Sequence, residues 1–149
     1  MFLIRSNYNL KTGAGHYMRA IRLAREIKKK KLKVEIVLDS KINNFYYDNS
    51  IPHKFIYHKT EYTNNLVDAK IIEKLIKSKK VNFLIVDDYR LGIVWQKTLK
   101  KKVKLIVIDD FINRKHDCDF YINFKIFTQN EKKRIKLNLP NECKIITGN

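Results

Sequence analysis

Apolar residues in this chain fall into short continuous runs, separated by longer stretches in which they recur every three or four positions. The runs Phe2 to Ser6, Lys33 to Leu38, Phe83 to Val86 and Val103 to Ile108 show little apolar–polar alternation, which predicts strands buried on both faces. His16 to Lys30 reads as a helix with Met18, Ile21, Ala24 and Ile27 on one face. A second helix spans about Asn65 to Lys79, with Leu66, Ile71, Ile72, Leu75 and Ile76 as its buried stripe. A shorter one, Leu91 to Lys101, carries Trp95 and Leu99 in positions suited to core packing. His53 to Tyr57, Asp119 to Asn123 and Cys143 to Ile146 are weaker strand signals. Buried strands alternating with helices predict an α/β domain over residues 1–149: a Rossmann-like, doubly wound parallel sheet.

Ligands of such sheets bind at the carboxyl ends of the strands. Those ends carry Gly13 to His16, Asp39, Asp87 to Tyr89, and Asp109 with Asp110. The chain has four glycines, and Gly13 and Gly15 are two of them. Gly13-Ala14-Gly15 is not a dinucleotide fingerprint, because Met18 occupies the third glycine position, and no Walker A loop is present. His16 sits at a helix start, beside the positive end of the helix dipole, where a neutral imidazole can take a proton from water or a hydroxyl. On position alone it also fits a capping or packing role. A carboxylate of the Asp87-Asp88 pair can orient His16 or bind sugar hydroxyls, and Tyr89 can donate to a leaving or ring oxygen. Either Asp87 or Asp88 can instead cap the helix near Leu91, and Asp109 with Asp110 carries the same ambiguity. Arg19, one turn on from His16, reads as solvated or ion-paired. Asp117-Cys118-Asp119 has a D-x-D spacing, but His116 is its neighbour in sequence only, and no metal site is expected there. His53 and His58 read as surface residues.

Thirty-two basic residues against 15 acidic ones give a net charge of +17, which raises nucleic acid as a partner. The positions of the lysines argue against it. Lys28 to Lys31, Lys77, Lys79, Lys80 and Lys100 to Lys102 end predicted helices, where cations complement the dipole and face away from the glycine–histidine turn. Phe45-Tyr46-Tyr47 near Lys41 is the one feature in favour of a nucleic-acid surface. Cys118 and Cys143 have neither metal-ligand spacing nor a disulfide framework, and read as free thiols of a reducing cytoplasm. No apolar run reaches the ~18 residues of a membrane span, and the chain opens on a strand without a signal peptide, so a soluble, cytoplasmic protein is expected.

Three ordered motifs carry a resemblance. They are an Arg5-Ser6 pair followed by Gly13-x-Gly15-His16-x-x-Arg19 with Leu23-Ala24, then Val86-Asp87-x-Tyr89-x-Leu91 with Trp95. The third is Val107-Ile108-Asp109-Asp110 with Arg114-x-His116-x-Cys118-Asp119 and Asn123. In this order and spacing they resemble the N-terminal half of the UDP-sugar hydrolases of pseudaminic acid biosynthesis (PseG), whose relatives include the SpsG polysaccharide proteins. The resemblance implies a two-domain glycosyltransferase-B architecture related to MurG-type transferases. It also implies hydrolysis of UDP-2,4-diacetamido-2,4,6-trideoxy-β-L-altropyranose at the anomeric C–O bond, without a metal or other cofactor. It assigns His16 the catalytic role on the attacking water, and Tyr89 a substrate contact; Gly13, Gly15, Asp87 and Asp110 complete the expected substrate site. Position 88, often histidine in that family, is Asp here. The nucleotide-binding C-terminal domain has no counterpart before Thr147-Gly148-Asn149, so the resemblance implies half an active site, completed by a C-terminal partner domain or chain.

Overall fold

The computed structural model describes residues 1–8, 14–39, 47–56 and 65–148. In chain order the elements are β1 (Phe2–Ser6), α1 (Gly15–Lys29), β2 (Val34–Leu38), β3 (His53–Phe55), α2 (Asn65–Lys79) and β4 (Phe83–Asp87). They continue with α3 (Ile93–Lys100), β5 (Lys104–Ile108), β6 (Phe120–Asn123), α4 (Gln129–Leu137) and β7 (Lys144–Thr147). The strands form one seven-stranded sheet in the order β3-β2-β1-β4-β5-β6-β7. Every pairing is parallel. This is a Rossmann-like doubly wound α/β fold, and its strand order reverses between β1 and β4.

Side chains alternate across each strand, so the sheet has two apolar faces. Leu3, Leu84, Val86, Leu105, Val107 and Tyr121 pack against α2, α3 and α4 through Ile72, Trp95, Leu99 and Ile135. Ile4, Ile36, Ile85 and Ile108 face the other way and meet Tyr17, Ile21 and Ala24 of α1. Among the described residues α1 is the one helix on that second face. It leaves the β5–β7 side open: Ile106 and Ile122 are partly buried, whereas Phe124 is 56% and Ile146 50% exposed.

The helical stripes differ in detail from the sequence reading. In α1, Tyr17 and Ala20 are buried and Met18 only partly so. In α2, Leu66 is exposed and Asp68 takes a place in the stripe, fully buried. The last turns of all four helices carry basic residues, among them Lys28, Lys79, Lys100 and Lys136. In a parallel α/β layer these turns lie at the edge opposite the carboxyl ends of the strands, away from the site described next. Just beyond α1 and α2, Lys31 (φ 60°) and Lys80 (φ 52°) adopt the left-handed conformation usual for a helix-ending glycine. The N–H groups of Leu32 and Val81 then donate back to the carbonyls of Ile27 and Ile76. No helix among the described residues is long and apolar enough to cross a membrane.

Candidate functional site

The reversal of strand order opens the crevice in which doubly wound sheets bind ligands. His16 enters it from the second residue of α1, and Asp87 from the last residue of β4, next to β1. His16 Nδ1 lies 2.7 Å from Asp87 Oδ1. A carboxylate only accepts, so the 2.7 Å contact favours the neutral tautomer with the proton on Nδ1 and the lone pair on Nε2. Arg19 Nη2 also lies 3.3 Å from Nδ1, but it is a donor already spent on Asp87 at 2.6 Å and makes the weaker contact. Among the described residues Nε2 has no hydrogen-bond partner. The His16 side chain is 14% exposed, against 1% for Asp87. The pair therefore has a buried anchor and an accessible, proton-accepting tip.

Arg19 ties this pair to a second carboxylate. Its Nε and Nη2 each donate to Asp87 at 2.6 Å, and its Nη1 donates to Asp110 at 3.2 Å. Burial works against the guanidinium, but its bonds to Asp87, Tyr89 and Asp110 outweigh that and hold its pKa above the ordinary value. The Tyr89 hydroxyl donates to Asp110. Burial and that carboxylate push the Tyr89 phenol up to about 12. Asp110 moves down: burial opposes its charge, and the bonds from Tyr89 and Arg19 more than compensate. The Tyr89 ring meets His16 edge-on at 4.5 Å and Phe111 at 5.0 Å, while Arg19 lies 5.4 Å over the Phe124 ring. An open groove of about 700 Å³ runs from here along α1, lined by Gly15, Met18, Arg19, Ile108, Ile122 and Phe124. His16 flanks this groove and is not part of its wall.

Four of the residues singled out from the sequence, His16, Asp87, Tyr89 and Asp110, thus form one cluster with Gly15 beside it. A Cβ added at Gly15 would meet nothing within 4 Å, so the backbone does not require glycine there. Gly13 and His58 lie outside the described residues. The solvated reading of Arg19 gives way to the ion-paired one, and Arg19 is the residue that joins the cluster.

Asp88 and Asp39 belong to a separate network on the α2–α3 side of the sheet. Fully buried Arg5 reaches Asp68 with Nη2 at 2.8 Å and Asp88 with Nη1 at 3.5 Å. Arg90 bridges Asp88 and Asp39, and the indole N–H of Trp95 donates to Asp68 at 2.8 Å. Burial of Asp88 disfavours its charge, yet Arg90 and Arg5 lower its pKa on balance. Asp109 accepts from the Phe111 N–H and pairs with Arg114 at 3.0 Å. His116 is more than a sequence neighbour of this region. It is buried, with Nδ1 3.1 Å from Gln96 Nε2 and Nε2 3.3 Å from Asp109 Oδ2, although the latter contact is poorly directed for a hydrogen bond. The D-x-D carboxylates serve the fold: Asp117 binds Lys100 and Asp119 accepts from the Leu105 N–H. Among the described residues no group of three or more His, Cys, Asp or Glu is placed to hold a metal ion. His53 is not a surface residue. It is half-buried, 3.1 Å from the Tyr17 hydroxyl and against the Tyr47 ring, and burial lowers its pKa.

Arg5, Asp68 and Arg90 are the partners that sequence reasoning missed. A charge inside the apolar run of β1, and an aspartate in register with Ile72 and Leu75 on α2, are the signals that mark two of them. Comparison with protein-family models and with curated protein sequences finds no match for this chain.

Proposed function

We propose that this chain is the sugar-side half of a nucleotide-sugar hydrolase, with His16 as the general base. The observation that carries the reading is the His16–Asp87 pair, held by Arg19, with Nε2 left free at the crevice between β1 and β4. In this reading Nε2 takes a proton from water as the water oxygen attacks the anomeric carbon. The C–O bond to the diphosphate breaks, and its electron pair leaves with UDP. Asp87 keeps the ring oriented and offsets the positive charge that His16 gains. Tyr89 and Asp110, at the mouth of the cluster, bind the hydroxyl or acetamido groups of a UDP-linked diacetamido-trideoxyhexose of the pseudaminic acid type. The uracil, ribose and diphosphate are bound by a C-terminal domain or chain, whose helix N-terminus stabilises the leaving group.

A second reading is that the chain is a non-catalytic half that completes its fold on a partner. The apolar face of β5 to β7 that is open among the described residues, with Phe124 and Ile146 half exposed, is the surface such a partner would cover, as would the C-terminal half in the first reading. One experiment separates the two. The chain is combined with the nucleotide-binding half of a UDP-sugar hydrolase, and complex formation and UDP release are both followed. The hydrolase reading expects UDP release that falls about 10²- to 10⁴-fold in His16→Ala. A complex without UDP release, or one whose release is untouched by His16→Ala, selects the second reading.

A further inference from the structure

The sequence treats Cys118 and Cys143 as unrelated thiols, yet their Sγ atoms lie 3.6 Å apart. Cys118 stands two residues before β6 and is fully buried; Cys143 immediately precedes β7 and is partly exposed. Separate contacts hold the two segments side by side. The β6–β7 register pairs Phe120 with Lys144, and the Lys144 N–H donates to the Asp119 carbonyl at 2.9 Å. Lys100 then clamps the residue that precedes each cysteine, with Nζ 2.9 Å from Asp117 and 3.2 Å from Glu142.

We propose that Cys118 and Cys143 form a reversible dithiol–disulfide pair, a redox modification site at the β6–β7 end of the sheet that is oxidised by hydroperoxides. A disulfide needs its sulfurs about 2.05 Å apart, so they must close by roughly 1.5 Å. Exposure assigns the order of events. Cys143 is the sulfur an oxidant can reach, and Cys118 need only be reached by Cys143. Their electrostatics agree: the contact with Cys118 and the nearby Lys100 charge lower the Cys143 thiol, while the same contact and burial raise Cys118.

In the first step the Cys143 thiolate attacks a peroxide oxygen. The O–O bond breaks, hydroxide from hydrogen peroxide or the alkoxide of an organic hydroperoxide leaves and is protonated to water or the alcohol, and Cys143 becomes a sulfenic acid. In the second, Cys118 gives up its proton and attacks that sulfur, the S–S bond forms, and the sulfenic oxygen leaves as water. The two thiols lose two electrons and the peroxide gains two. An external dithiol reverses the change. The bridge would enclose β6 and α4, and α4 is held to the sheet through one buried residue, Ile135. Oxidation thus fastens the most lightly anchored helix of the described residues.

The test uses the full chain and hydrogen peroxide, in buffer and in concentrated urea, with thiol alkylation and peptide mass mapping. The expected product is one intramolecular bridge between the peptides of Cys118 and Cys143, lighter by two hydrogen atoms and reversed by dithiothreitol. Folding holds the sulfurs together, so the bridge should form at least about tenfold faster in buffer than in urea. Oxidation should raise Tm by roughly 5 °C or more. Lys100→Met should slow bridging several-fold, and Cys118→Ser should leave Cys143 as a sulfenic acid or an intermolecular dimer. Two alkylatable thiols after peroxide would overturn the proposal. So would a sulfinic acid on Cys143, or a native rate no greater than the rate in urea.

Discussion

Arg5 has no solvent-exposed surface and is flanked by Asp39, Asp68 and Asp88. Burial of a guanidinium is unfavourable, but these carboxylates outweigh it and hold its pKa above the ordinary value. Removing the cation would take from buried Asp68 the guanidinium it pairs with at 2.8 Å, and from Asp88 and Asp39 a shared counter-charge. Arg5→Ala is therefore expected to destabilise the fold by about 3–5 kcal/mol, read from urea unfolding. The same residue marks the limit of sequence reading. His16, Asp87, Tyr89 and Asp110 were legible because strand ends in a parallel sheet converge on one edge, and position alone puts them there. Arg5 and Asp68 were not, because hydrophobic periodicity counts a charged residue against burial. Periodicity accordingly puts Leu66 in the α2 stripe, whereas the structure leaves Leu66 exposed and Asp68 inside. Arg5 and Asp68 each leave a local trace, a charge inside an apolar run or an aspartate in the helical stripe, but the pattern of either element alone does not show that the two charges meet in the core.

At the scale of elements, β1, β2 and β4 are near-continuous apolar runs because helices cover both faces of the sheet there, and the strand positions follow from the sequence to within a residue or two. The shorter extent of α3 has a local cause. Asp88 binds the Arg90 backbone and side chain in a turn, and the Asn65 side-chain carbonyl accepts from the Gly92 N–H, so the helix starts only at Ile93. The helix missed outright is α4, whose sequence Gln129 to Leu137 is mostly charged and buries only Ile135. Its signal was a capping box. The Thr128 side chain accepts from the Glu131 N–H, and the Glu131 carboxylate accepts from the Thr128 N–H. With so little packing to support it, α4 depends on its cap. Thr128→Ala should cost about 1 kcal/mol, with increased amide exchange confined to residues 129–137, and an exchange pattern spread over the whole sheet would contradict that assignment.

The whole molecule responds to alkali through its buried phenols. Tyr17, Tyr89 and Tyr121 are all pushed up to about 12, chiefly by burial, against about 10 for an unfolded tyrosine. Between these values the folded chain holds more protons than the unfolded one, so the contribution of these groups is complete below about pH 10 and is lost as pH rises through 12. Tyrosinate absorbance should show a late-titrating component from Tyr17, Tyr89 and Tyr121 in the native protein, and that component should be lost in urea. The sheet also works as a partition. Adjacent residues at the end of β4 face opposite ways, Asp87 towards His16 and Arg19, Asp88 towards Arg5 and Arg90. Two ionic circuits therefore sit back to back, separated by a single peptide bond and a layer of strands. Substitutions that retool one circuit leave the counter-charges of the other in place, so the His16 side of the sheet can change its chemistry while the contacts around Arg5 keep the scaffold folded.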